Sequence, residues 1–175
     1  MNKLVSSLLN LNELESGNGH VEIEHFDLME LIENCVEAMD ILIKQNGINL
    51  VMPDRKNIQV WADEFKTEQV VNNYLSNAIH YADGEKIVRI SVEEHGDIVR
   101  VGVFNSGSNI AEDVLPNLWT KFYKADKART REYGGSGLGL SIVKANMDAM
   151  GKDYGVENVE DGVNFWFELD ASSTL

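Results

Sequence analysis

Two stretches of this chain carry residue types suited to one chemistry, the binding of a polyphosphate. The first is Tyr133-Gly134-Gly135-Ser136-Gly137-Leu138-Gly139-Leu140-Ser141-Ile142-Val143, with four glycines in six residues running into an apolar helical pattern. Glycine allows close backbone approach and positive φ. A helix N-terminus offers unpaired N–H groups and a partial positive charge. Together they form an anion cradle, and phosphate is its usual occupant. Glycine runs also serve as plain loops or caps, so the run by itself leaves both readings open. The second stretch is Gln69 to Tyr81. Gln69, Asn73 and Asn77 are spaced by four and share one helical face, which His80 and Tyr81 continue. Asparagine competes for backbone hydrogen bonds and is a mediocre helix former. A row of amides is either a solvated face or a set of uncharged oxygen ligands. Mg²⁺ prefers hard oxygens and keeps several waters when it serves nucleotide phosphates.

Two common phosphate motifs are excluded. A Walker loop ends in Gly-Lys-Ser/Thr, which is absent here. A Rossmann fingerprint follows an apolar strand, whereas Lys121 to Arg131 is charged, and Leu140 stands at the last glycine's place.

These stretches must be held by a fold that 175 residues can supply, one domain with a substantial core. The net charge of −14 argues against nucleic acid or an anionic membrane as a general partner. The single cysteine, Cys35, lies on an apolar stripe and is expected to be a buried small hydrophobe. With no signal peptide and no apolar run of membrane-span length, the chain is expected to be soluble and cytoplasmic.

Periodicity places helices at 3–15, 28–43, 64–81 and 138–150. Asp27 is the expected N-cap of the second, with Glu30 completing a capping box, and Gly47 its stop. Short strands are expected around Val21–Phe26, at Ile48–Met52 and Ile58–Trp61 flanking a turn at 53–57, and as pairs at 86–94 with 97–104 and 153–159 with 163–169. The irregular stretch 107–136 holds Leu115, Leu118, Trp119, Phe122 and Tyr123 as an aromatic cluster, and a loop of this length is usually functional. Tyr154, Trp166 and Trp61 are expected to be packing residues. Five to seven strands in pairs and three main helices on one face make the class α+β, with a mixed, mainly antiparallel sheet.

Four ordered motifs carry a family likeness. Asn73-Tyr74-Leu75-Ser76-Asn77-Ala78, Trp119-Thr120-Lys121-Phe122-Tyr123-Lys124, Gly135-Ser136-Gly137-Leu138-Gly139-Leu140 and Gly162-Val163-Asn164-Phe165 resemble the N box, F box, second glycine box and G-x-x-F element of sensor histidine kinase catalytic domains. Those domains belong to the wider GHKL ATPase group. Leu8 to Gly17 is similar to the end of the family's dimerisation helix and linker. The likeness implies a two-layer α/β sandwich of the Bergerat type, with three helices on one face of the sheet. It divides the chain into a dimerisation-helix end (1–16) and a catalytic ATP-binding domain (17–175) with an ATP lid at about 108–136.

Residue by residue, the likeness implies Mg²⁺ on Asn77 with Asn73 beside it, and His80 and Tyr81 against phosphate and ribose or base. Backbone N–H groups of Gly137, Leu138, Gly139 and Leu140 would meet the phosphates of ATP. Gly107, Ile110, Phe122, Gly135 and Ser136 complete the implied nucleotide-binding set. Lys124 stands where the family commonly has arginine and, with Arg129, is the cationic candidate for the γ-phosphate. One motif departs from the pattern. Where the first glycine box has Asp-x-Gly-x-Gly, this chain has Asn105-Ser106-Gly107-Ser108-Asn109. Asn105 keeps an acceptor for adenine but loses the charge, a loss on the order of 1 kcal/mol. Asn109 replaces a glycine where positive φ is expected.

The implied activity is that of a protein histidine kinase in two-component signal transduction. The phosphoacceptor would be a histidine of a dimerisation domain, serving a response-regulator receiver domain. His20, His25 and His95 read as surface residues, so the chain is expected to bind nucleotide and to autophosphorylate poorly alone. The full-length protein is expected to be a membrane-anchored homodimer. Three alternatives stay open: another GHKL ATPase, a serine kinase of the anti-sigma type, and a degenerate nucleotide-binding module.

Overall fold

The computed structural model describes residues 3–17, 19–55, 57–124 and 137–171. Its helices are α1 (Lys3–Glu15), α2 (Leu28–Ala38), α3 (Asp40–Gln45), α4 (Glu64–Tyr81) and α5 (Gly139–Met150). Its strands are β1 (Glu24–Asp27), β2 (Asn49–Val51), β3 (Gln59–Ala62), β4 (Ile87–His95), β5 (Ile98–Ser106), β6 (Tyr154–Val159) and β7 (Gly162–Ala171). The described residues form a seven-stranded sheet in the order β1-β3-β7-β5-β4-β2, with β6 also paired to β7. β2 runs parallel to β4, and all other pairs are antiparallel. β6 and β3 share one edge of β7, β6 along Gly162 to Phe167 and β3 at Asp170 and Ala171.

Strand side chains alternate between faces. Val99, Val101 and Val103 of β5 and Val163, Phe165, Phe167 and Leu169 of β7 are buried on one face. Residues of α2, α4 and α5 join them in a single core. Each such side chain contributes roughly 1.5–3 kcal/mol on leaving water. The other face carries Arg89, Arg100, Phe104, Asn164, Trp166 and Glu168. There the Arg100 guanidinium lies 4.0 Å over the Trp166 ring and donates twice to Glu168 Oε1 at 2.7 and 2.9 Å. Trp61 stacks on His25 at 5.0 Å, so the aromatic residues expected to pack do so, two of them on this open face.

Two expectations change. The predicted helix 28–43 is broken at Met39 (φ −102°, ψ 8°), and α3 starts afresh at Asp40. The apolar stripe continues through the break, so periodicity does not reveal it. The strands around 53–57 do not pair with each other. β2 joins β4 on one side of the sheet and β3 joins β1 and β7 on the other, because alternation fixes a strand's face but not its partner. Tyr74, beside Asn73 in sequence, is fully buried, with its hydroxyl donating to the Trp166 carbonyl at 3.1 Å. The Asp27 cap is as predicted, its Oδ1 accepting from the Met29 N–H at 2.9 Å. Burial, with Glu68 adding to it, pushes the Cys35 thiol up to about 12, so it stays protonated and inert. No helix among the described residues is long and apolar enough to cross a membrane.

Candidate nucleotide site

The amide row is built on α4, an 18-residue helix capped by Asp63, which accepts from the Lys66 N–H at 2.9 Å. Val70, Val71, Tyr74, Leu75, Ala78 and Ile79 are buried beneath the sheet. That leaves Gln69, Asn73 and Asn77, all half-buried, along one margin of the helix. The Asn73 Nδ2 donates to the Gln69 carbonyl at 2.8 Å, one turn back. Its Oδ1 is thereby turned outward, toward α5.

The glycine turn arrives there. A Cβ placed on Gly139 would lie 3.1 Å from Asn73 Oδ1, tighter than an ordinary contact, so glycine is what allows this approach. Gly137 has φ +75° and faces the F-box segment. A Cβ there would lie 2.9 Å from Phe122 Cα and 3.4 Å from Lys124 Cε. The Phe122 N–H donates to the Gly137 carbonyl at 3.0 Å. Leu138 is buried, and the Ser141 hydroxyl donates to its carbonyl at 2.8 Å. The first N–H groups of α5, at Gly139, Leu140 and Ser141, have no partner within the helix by position. The Asn73 oxygen, a helix N-terminus and the Lys124 side chain thus meet at the glycine turn.

The far end of α4 leads to the rest of the predicted set. His80 and Tyr81 meet edge to face with ring centroids 4.6 Å apart. A Cβ on Gly107 would lie 3.4 Å from the Tyr81 carbonyl. Asn105, last but one in β5, lies on the helix-covered side, 3% exposed, with Nδ2 donating to the Ser106 carbonyl at 3.3 Å. Its Oδ1 remains the atom available as an acceptor. The main chain of Ile110 is tied to β6: its N–H donates to Asn158 Oδ1 and its carbonyl accepts from Asn158 Nδ2, both at 2.8 Å. Arg129, Gly135 and Ser136 lie outside the described residues.

The donor set fits a nucleotide with magnesium. Among the described residues no group of three or more His, Cys, Asp or Glu could hold a metal ion. A cation here would therefore take hard amide oxygens from Asn73 and Asn77, and the rest of its shell from phosphate and water. These features coincide with a match over residues 62–173 to the model of the histidine kinase-, DNA gyrase B- and HSP90-like ATPases. The chain belongs to that ATPase family. Within the family it is an ATP-binding catalytic domain of the sensor histidine kinase kind.

The relatives agree. The chain is 32% identical to sensor protein VanSB of Enterococcus faecalis over 99% of its own length and 39% of the relative's. It is 30% identical to sensor histidine kinase WalK of Bacillus subtilis over 97% of its length and 28% of the relative's. The chain thus spans well under half of these proteins. Among solved structures, the catalytic domain of histidine kinase ThkA superposes with a TM-score of 0.76 at 30% identity, covering 85% of this chain and 95% of that one. Full-length ShkA in complex with AMPPNP gives 0.79 at 26%, covering 96% and 35%. ThkA in complex with response regulator protein TrrA gives 0.76 at 27%, covering 98% and 49%.

Two details of this ATPase domain depart from what its sequence predicts. Asn109 does not adopt positive φ. Its Nδ2 instead donates to the carbonyls of Val159 and Gly162, so the residue braces the β6–β7 turn. The predicted aromatic cluster divides. Trp119 packs edge-on against Tyr154 at 4.9 Å, whereas Phe122 is 55% exposed with φ +60°. A bulky residue at positive φ is uncommon and carries strain. The sequence reading also passed over Asn146 and Asn158. Asn146 falls one turn after Ile142 on an apolar stripe, and a lone amide at such a position is a legible signal.

Proposed function

We propose that the seam between α4 and the glycine turn holds Mg²⁺-ATP and presents its γ-phosphate to a histidine of a dimerisation domain, from which the phosphoryl group passes to an aspartate of a response-regulator receiver domain. Asn77 and Asn73 hold the magnesium, and the N–H groups of Gly137 to Leu140, with Gly135 and Ser136, hold the phosphates. His80 and Tyr81 flank phosphate and sugar, and Asn105 accepts from the adenine amino group beside Gly107 and Ile110. Phe122 belongs to a lid over about 108–136, from which Lys124 and Arg129 reach the γ-phosphate. Phosphoryl transfer depends on positioning and charge stabilisation, which these residues supply. The observation that carries the proposal is the Asn73 oxygen aimed at Gly139, 3.1 Å from where a Cβ would stand.

Residues 1–16 form the end of the dimerisation helix and linker, and 17–175 the catalytic domain. The full-length protein is a membrane-anchored homodimer whose catalytic domains face the cytoplasm. Support for the partners comes from the ThkA–TrrA complex and from the sensor kinases that share this sequence. The test combines the chain with a separately produced dimerisation domain and γ-labelled ATP. Acid-labile label on the second protein is expected. Its absence with every dimerisation domain tried, while ATP still binds, contradicts the kinase assignment. The neutral Asn105 favours one alternative, a module with a weakened pocket. Calorimetry separates the two, because a degenerate pocket gives no heat with millimolar Mg²⁺-ATP.

A further inference from the structure

α1 and α5 pack around a small apolar cluster separate from the main core. Leu11 and Leu14 of α1 pack there with Leu138, Ile142 and Ala145. Leu138 lies between Gly137 and Gly139, so the incoming helix rests on the glycine turn itself. Beside this cluster three amide side chains converge, one each from α1, α4 and α5. Asn146 Nδ2 donates to Gln69 Oε1 at 2.9 Å, and Asn10 Nδ2 approaches the same oxygen at 3.5 Å. Asn146 is 0% exposed, and its Oδ1 finds no hydrogen-bond partner among the described residues.

Stability does not account for Asn146. A buried acceptor left unpaired is unfavourable. An apolar residue of similar volume removes that unpaired acceptor, and Gln69, only half-buried, can turn its amide to water. Its neighbours Ile142, Val143 and Met147 are apolar and buried, so leucine would suit the position. What the asparagine adds is a directed bond to Gln69. Gln69 in turn holds Asn73, whose Nδ2 donates to the Gln69 main-chain carbonyl at 2.8 Å. One residue therefore ties α5 through its side chain and orients a proposed nucleotide ligand through its backbone. The same two helices meet again at Asn73 and Gly139, about two turns along α5.

We propose that Gln69 and Asn146 are positioning residues for the phosphate-binding elements: their amide bridge sets the separation of α4 and α5, and Asn10 makes the placement of α1 part of that setting. The proposal rests on the assignment of the seam as the nucleotide site. A polyphosphate there is met from both helices at once, so the spacing between them governs both sets of contacts. The apolar cluster supplies attraction without direction, whereas the amide bridge supplies direction.

The test uses the 175-residue chain and Asn146→Leu, each unfolded thermally without nucleotide and titrated with Mg²⁺-ATP by calorimetry and with adenosine by NMR. The variant is expected to unfold at the same or a higher temperature, yet to bind Mg²⁺-ATP about tenfold more weakly, since small misplacements of binding groups have large effects. Adenosine has no phosphate and is expected to bind both proteins equally. Gln69→Glu keeps an acceptor in the same place and retains most of the affinity, whereas Gln69→Leu loses it. Equal Mg²⁺-ATP affinity in the folded Asn146→Leu variant overturns the proposal, and so does an equal loss for adenosine. If Asn146→Leu fails to fold, the Gln69→Glu and Gln69→Leu pair decides by the same criterion. Absence of any Mg²⁺-ATP binding by the unaltered chain overturns the nucleotide assignment itself, a distinguishable outcome.

Discussion

The two faces of the sheet solve different problems. The covered face is apolar and dry, and its polar groups gather at one margin, where Asn73 and Gly139 meet. The open face is built from charge and aromatic pairs, and it carries a broad trough of about 920 Å³ lined by Arg89, Ser91, Phe104 and Asn164. A trough of that volume is large enough for a small ligand. Its rim, however, includes Asp83, Glu85, Glu160 and Asp161. Four carboxylates beside a polyphosphate are repulsive, whereas amide oxygens and helix N–H groups are not. Donor chemistry, rather than volume, separates the site from the surface.

The contrast can be broken most severely through stability. Phe167→Ala removes a fully buried ring and should cost about 3–5 kcal/mol in urea unfolding. Trp166→Ala, one residue earlier but on the open face, should cost clearly less. Its main specific contact is the Arg100 guanidinium, worth roughly 0.5–1 kcal/mol. Equal losses would mean that the open face is structural after all.

In binding, Asn77→Ala should weaken Mg²⁺-ATP by about tenfold or more, a change near 1.4 kcal/mol, and should leave metal-free nucleotide binding almost unchanged. Calorimetry with and without magnesium reads both values, and an unchanged Mg²⁺-ATP affinity rejects the ligand role. Asn105→Asp should tighten adenine nucleotides by about fivefold, because a charge-assisted bond replaces a neutral one. A weaker complex would place the base elsewhere. The smallest effect is expected on the trough: Glu160→Gln should change ATP affinity by less than about twofold, since exposed charges are screened over roughly 8–10 Å.

Much of this was legible in the chain before any coordinates. Hydrophobic periodicity located α1, α4, α5 and both hairpins, and Asp27 capped α2 as its side chain predicts. The meeting of the amide row with the glycine turn followed from family likeness, not from spacing, because the two stretches lie some sixty residues apart. Partner choice for β2 and β3 was not legible, since alternation is silent on which edge a strand joins. The φ of Asn109, expected to be positive, and that of Phe122, for which the sequence carries no signal, are hard to read for a related reason. Backbone φ there is set by what the side chain or peptide bonds to, Val159 and Gly162 for one and Gly137 for the other, and those partners are remote in sequence.

The central claim is that α4 and the glycine turn together receive one polyphosphate. Amide NMR during Mg²⁺-ATP titration tests it most directly. Saturable shifts at Asn73, Asn77 and Gly137 to Leu140, extending along α4 to His80, Tyr81 and Asn105, with Arg89, Ser91 and Asn164 of the trough unmoved, are the predicted result. Shifts centred on the open-face trough, with the α4–α5 seam silent, would contradict it.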